Sequence, residues 1–181
     1  LLKGILSSKK AGLKKSLFQP LSLILLITQV KNENSEGLYY IKEARIHFPL
    51  IEIPSDIKKN AVVLFLSEVL TRVITEEGTP NPSLYHFIQK NVIHLEAKRF
   101  SPLFHLKFMM ELSQHLGFYP NQSEMEENYF DLESGCFCGA SPSKYLIGGD
   151  LALAFKELLG TNFDTLDDIT IPNVLRIKVL S

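Results

Sequence analysis

The chain reads as an α+β protein in which a β-rich segment, residues 1–50, precedes a helical domain, residues 51–181, that carries a small β-hairpin insertion. Three observations support this. Apolar residues before Pro49 fall in short runs broken by polar loops, after Pro54 they recur at three and four residues, and helix-start signals stand at Asn81-Pro82 and Ser101-Pro102. Length and composition agree. The 181 residues make one ordinary domain or two small ones, and 45% apolar with 22% charged residues describes a chain with a real core, not a disordered tail or a collagen-like repeat.

In order along the chain, Leu1 to Leu6 read as the inside of a strand, and the lysine-rich Ser7–Ser16 as a loop. Leu21-Ser-Leu-Ile-Leu-Leu-Ile-Thr, bounded by Pro20 and the polar stretch Lys31–Gly37, is too short for a helix, and Leu38–Ile46 is rich in aromatic and β-branched residues. These two runs predict a hairpin. Val62, Phe65, Leu66, Val69 and Val73 then predict one helix face, with Asp56 near its positive end. Asn81 caps a second helix, with Pro82 at its first position and Leu84, Ile88, Val92 and Leu95 on its buried side. A third follows Ser101-Pro102 with Leu106, Met109, Leu112 and Leu116, ending at Gly117 in the left-handed position. Asn121 onward reads as a surface loop, Tyr129–Leu132 and the region around Phe137 as a short hairpin, and Leu151–Leu159 as an amphipathic helix. Ile171–Leu180 fits helix or strand equally. The apolar start at Leu1 and the missing stop signal at the end lead to the expectation that both ends continue.

Charge is unevenly placed. Residues 1–50 carry eight basic and three acidic residues, a net +5, which leaves −6 for the remainder of a chain whose total is −1. Such separation points to modules with different partners, the first drawn to polyanions. The longest apolar run, Leu21–Ile27, falls well short of the roughly 20 residues of a membrane helix. With no signal-peptide layout and two cysteines, the expectation is a soluble chain in the reducing cytoplasm, away from membranes.

Several constellations invite a chemical reading. Cys136-Phe-Cys138 has no second pair of ligands at zinc-site spacing, so two ordinary loop thiols are expected, with no metal and no cofactor. A cysteine nucleophile needs a base, which five histidines could supply, yet Gly135-Cys-Phe-Cys-Gly139 matches no protease signature. G-x-S-x-G, a phosphate loop and G-x-G-x-x-G are absent from the sequence, and Gly148-Gly149-Asp150 reads as a turn. His86, Lys90, His94 and Lys98 repeat every four residues, as a solvated face or as a basic stripe for an acidic peptide, with Arg99 and Lys107 nearby. Lys9, Lys10, Lys14 and Lys15 flank a glycine in a loop able to follow phosphates without reading bases. Phe18, Tyr39 and Tyr40 could stack single-stranded bases, or serve as core or surface filler.

The ordered set of motifs resembles RecO-type recombination mediators. The basic loop, Ser16-Leu-Phe-Gln-Pro-Leu21, the polar turn with Gly37-Leu38 and Ile41-Lys-Glu-Ala-Arg45 are similar to the second half of that family's N-terminal OB-fold. Ser67-Glu-Val-Leu70, Pro80-Asn-Pro-Ser-Leu-Tyr-His-Phe87, Leu103–Leu112 and Leu116-Gly-Phe-Tyr-Pro120 resemble its helical domain. No single motif is diagnostic, and the segment after Pro120 lacks the four cysteines many members use for zinc, so the chain resembles the zinc-free branch. The resemblance implies a partial OB-fold β-barrel over residues 1–50 followed by a helical domain. It also implies a non-catalytic DNA-repair protein that binds single- and double-stranded DNA, anneals strands and works with RecR to load the recombinase. The strands so loaded are coated by single-stranded-DNA-binding (SSB) protein, in a cytoplasmic, nucleoid-associated setting. The expected DNA contacts are Lys9, Lys10, Lys14, Lys15, Lys42 and Arg45. Lys90, Lys98, Arg99, Phe104 and Lys107 are expected to receive the SSB C-terminal tail, which is acidic and ends in an aromatic residue. The competing readings are a helical protein-interaction adaptor without DNA binding and a cysteine-dependent enzyme.

Overall fold

The structure, a computed structural model, describes residues 17–30, 39–77 and 81–180. The expected strand Leu1–Leu6, the loop with Lys9, Lys10, Lys14 and Lys15, and the polar turn Lys31–Gly37 lie outside these residues. The fold is mixed α+β and forms two compact units, Leu1–Lys98 and Arg99–Ser181. The units part at Lys98, later than the expected boundary at residue 50, because the chain after the strands is tied into the helices that follow.

In the first unit β1 (Leu23–Val30) pairs antiparallel with β2 (Tyr39–Phe48) as the expected hairpin. The register slips twice: Ile27 faces Glu43 while Thr28 faces Ile41, and Leu23 faces Phe48 while Ile24 faces Ile46. Lys42 and His47 are therefore the extra residues of two β-bulges, which locally sharpen the strand's twist. Among the described residues these strands make a two-stranded ribbon and no closed barrel. A single turn, α1 (Glu52–Ser55), then α2 (Ile57–Glu77) and α3 (Pro82–Ala97) complete the unit.

The buried stripe of α2 is Val63, Leu66 and Leu70, with Lys59 one turn earlier; of the predicted face Leu66 is buried, Val62, Val69 and Val73 are half-buried and Phe65 is 38% exposed. This helix is apolar on more than one side, so spacing alone fits two faces. Tertiary packing selects the one on which Lys59 reaches α3, its Nζ donating to the Glu96 carbonyl at 3.1 Å. Helix α3 starts as predicted: Asn81 Oδ1 accepts from the Leu84 N–H at 3.0 Å, with Pro82 at the first position. Near its other end the Glu96 carboxylate accepts from the backbone N–H groups of Ile51, Glu52 and Ile53 at 2.7, 2.8 and 3.0 Å. One side chain thereby satisfies donors that the start of α1 leaves without intrahelical partners.

The second unit comprises α4 (Phe104–His115), β3 (Tyr129–Asp131), β4 (Cys136–Cys138), β5 (Leu146–Gly148), α5 (Gly149–Gly160), a 3-10 turn over Phe163–Asp168 and α6 (Asn173–Leu180). Helix α4 begins two residues after Pro102, because Ser101–Leu103 close a turn first, the Phe104 N–H donating to the Ser101 carbonyl at 3.1 Å. Its end is the expected one. Gly117 lies at φ +84, its N–H donates to the Gln114 carbonyl and that of Phe118 to the Ser113 carbonyl, a complete Schellman motif.

The predicted hairpin is the β3–β4 part of a three-stranded antiparallel sheet ordered β4-β3-β5. The cysteines stand in a strand, not a loop, and Gly148-Gly149 joins β5 to α5 instead of forming an isolated turn. Gly148 is required there: a Cβ would lie 2.6 Å from the Tyr129 ring. Within the ambiguous stretch Ile171–Leu180, Asn173–Leu180 is helix. Leu103, Leu106, Phe130, Phe137, Leu158 and Leu166 make the core, with the Phe130 ring 4.9 Å from Phe137 and 4.8 Å from Phe155. No helix among the described residues is long and apolar enough to cross a membrane.

Candidate functional site

Lys42 and Arg45 are both exposed on β2. Lys42 occupies a bulge, where an unpaired residue re-aims its side chain, and Arg45 is paired with Leu25 across the ribbon. In the same ribbon Leu25, Ile27 and Ile46 are exposed apolar side chains, Leu25 opposite Arg45 and Ile27 opposite the exposed Glu43. Phe18 is half-buried.

The residues expected to receive a partner tail divide between the units. Lys90 and Lys98 belong to the first, where His86, Lys90 and Lys98 are exposed along α3 and His94 is half-buried. Tyr85 is exposed beside them, its ring edge-on to His86 at 5.6 Å. Arg99, Phe104 and Lys107 belong to the second. Arg99 is exposed, but Phe104 and Lys107 are each only 3% exposed. Phe104 packs on Phe163 with centroids 5.4 Å apart. Lys107 Nζ donates to the carbonyls of Leu158 and Leu159 at 3.2 and 3.4 Å and pairs with Glu111 at 2.6 Å. Its charge thus caps the end of α5, where carbonyls lack partners and the helix dipole is negative, and does not reach the surface. Counting charges along α4 could not separate this lysine from an exposed one.

Sequence reasoning passed over several polar groups with displaced proton affinities. Burial pushes the Glu96 carboxyl up, but the three N–H donors and Lys59 outweigh it, and its pKa lies below the ordinary value. His105 is lowered by burial and by Arg176. Tyr119 is raised by burial first and then by the charge of Glu111, while its hydroxyl oxygen accepts from Gln122 Nε2 at 3.3 Å. The Cys138 thiol is raised by burial and by Asp131, Glu127 and Glu124, the reverse of what a reactive thiolate needs. Both cysteines are free thiols, and among the described residues no three His, Cys, Asp or Glu side chains converge where they could hold a metal ion.

Comparison with known proteins places this fold in a class of recombination proteins: residues 54–180 match the family described as recombination protein O, C terminal. The curated DNA repair protein RecO of Bacteroides fragilis is 37% identical over 163 residues, 88% of this chain and 66% of that protein. Those of Azobacteroides pseudotrichonymphae and Christiangramia forsetii are each 32% identical, over 96% and 100% of this chain and 72% and 74% of theirs. The chain belongs to the RecO family of DNA repair proteins. It spans about two thirds of the length of its Bacteroides fragilis relative. No solved structure gives a significant match.

Proposed function

We propose that this chain is a non-catalytic recombination mediator. In this reading it binds single- and double-stranded DNA, anneals complementary strands, and acts with RecR to load the recombinase onto SSB-coated single strands in the cytoplasm. The observation that carries the reading is the match to RecO proteins over nearly the whole chain. Residues 1–50 are read as part of an OB-fold, to which a bulged, twisted antiparallel ribbon is suited, followed by a RecO C-terminal region.

DNA phosphates are assigned to Lys9, Lys10, Lys14 and Lys15 together with Lys42 and Arg45. For the SSB tail the exposed cations Lys90 and Lys98 of the first unit carry the assignment, since Phe104 and Lys107 are buried within the second. Binding of a labelled oligonucleotide across a salt series tests the DNA assignment. Replacing Lys9, Lys10, Lys14 and Lys15 with alanine flattens the slope of log affinity against log salt by about 0.7 for each single-strand phosphate that is no longer neutralised. Salt-independent or absent DNA binding by the unaltered protein would leave the adaptor reading in its place.

A further inference from the structure

Beyond the DNA and tail surfaces, we propose that the second unit docks a basic peptide segment of a partner protein, one that carries an aromatic or long aliphatic anchor. The site is an open groove of about 570 Å³ between the end of α4, the β3–β4 turn and α5. That volume is within the roughly 300 to 1,000 Å³ range of pockets that enclose a small ligand or a few side chains. Leu106, Met110, Phe130 and Phe155 supply an apolar interior, and Met109 adds a flexible, polarisable side chain that adapts to an inserted group. At the rim Phe118 is 67% exposed and Leu132 is 58% exposed. Both follow from local constraints: the Schellman turn at Gly117 throws Phe118 outward, and Leu132 begins the turn after β3.

Charge decides the occupant. Among the described residues Glu133 is the sole charged side chain lining the groove, and Tyr119, also in the lining, lies within the electrostatic reach of Glu111. Glu124, Glu127 and Asp131 act on Cys138, two residues from the lining Cys136, so the adjoining face is also negative. The unit holds eleven acidic against six basic residues. Two of those bases are occupied internally: Lys107 on α5, and Lys156 on the Glu127 carbonyl. An acidic tail is repelled here, and an uncharged apolar ligand leaves the negative rim unused. A peptide with Lys or Arg on either side of one bulky apolar residue uses both features, the anchor giving most of the affinity and the cations giving orientation and on-rate.

The test titrates the full chain into fluorescein-labelled Gly-Lys-Arg-Phe-Lys-Arg-Gly and follows anisotropy, alongside a peptide with Ala for Phe and one with Glu for every Lys and Arg. The basic Phe peptide is expected to bind saturably, the Ala peptide about tenfold more weakly and the acidic peptide not at all. Phe118→Ala and Leu132→Ala, at exposed positions that leave the core intact, weaken binding by about fivefold each. Glu133→Lys weakens it by a similar factor at low salt, whereas Asp167→Lys, an exposed acid on the 3-10 turn outside the groove, changes it by less than about twofold. Failure of the basic peptide to saturate, equal binding of the acidic peptide, or equal losses in Glu133→Lys and Asp167→Lys would overturn the proposal. None of these readouts involves DNA, so they stand apart from the salt series that tests the mediator reading.

Discussion

Among the described residues each unit buries one lysine against the end of a helix, and the two burials differ in how they are balanced. Lys59 donates to the Glu96 carbonyl in the last turn of α3, and its counter-charge, the Glu96 carboxylate, is itself held by three backbone N–H groups. Lys107 donates to two carbonyls at the end of α5, and its counter-charge Glu111 sits one turn along its own helix with its side chain 25% exposed. The first arrangement is a closed network in which every partner has another partner. The second hangs on one ammonium group. The role of these two lysines therefore follows from the helix end each one faces.

The largest effect breaks the second arrangement. Lys107→Ala leaves the Leu158 and Leu159 carbonyls without their donor, deprives Glu111 of its counter-ion and opens a cavity in a buried site. A loss of about 3 to 5 kcal/mol is expected, the usual cost of removing one partner of a buried pair. Lys59→Ala is expected to cost less, about 1 to 3 kcal/mol, because the Glu96 carboxylate keeps its three N–H donors. Urea titrations of the two variants measure both values. Equal losses would show that the closed network gives no protection.

A second prediction sharpens the first arrangement through pH. Glu96 is only 8% exposed and its folded pKa lies below the ordinary 4.5, so as pH falls the unfolded chain takes up this proton before the folded one does. The contribution to stability is complete above 4.5 and declines as pH drops toward the lowered folded value. Glu96→Gln keeps the shape but replaces a charged acceptor of three bonds, with an expected loss of about 1 to 3 kcal/mol at neutral pH. The same substitution should remove this residue's part of the acid sensitivity. A variant whose stability declines below pH 5 as steeply as the unaltered protein's would place the acid response elsewhere.

How much of the fold is legible in the sequence depends on whether a feature is local. Asn81-Pro82 and Leu116-Gly117-Phe118 set their helix ends through bonds spanning a few residues, and both stand where the spacing predicts. The buried face of α2 is turned from the predicted one, sharing Leu66 with it, because its apolar residues fit two faces and Lys59 reaching Glu96, 37 residues away, favours one of them. Strand β5 escapes prediction because three residues show no period, and its place depends on Gly148 fitting against the Tyr129 ring. The candidate sites divide the same way. Lys42 and Arg45 are exposed, so the charge that the sequence shows there is the charge that the surface carries. Lys107 lies 51 residues from the carbonyl it caps, and no pattern within α4 announces that distance.

The smallest effect on stability falls where the proposed effect on binding is clearest, and it sets exposed cations against buried ones. Lys42 and Arg45 are exposed, no hydrogen bond or ion pair ties either side chain down among the described residues, and one stands in a bulge whose backbone tolerates any residue of similar conformation. Alanine at both positions is therefore expected to change stability by no more than about 0.5 kcal/mol, as surface substitutions away from special features do. If they meet phosphates, the same double variant reduces the single-strand salt slope by about 1.4, at 0.7 for each phosphate, and weakens binding about equally for all base sequences. Lys59→Ala supplies the opposite pattern: lower stability, with the slope unchanged in whatever fraction remains folded. Measuring urea midpoint and salt slope on the same samples places each variant on both axes. A slope that stays constant in the Lys42 and Arg45 double variant would take β2 out of the DNA surface while leaving the contrast between buried and exposed lysines intact.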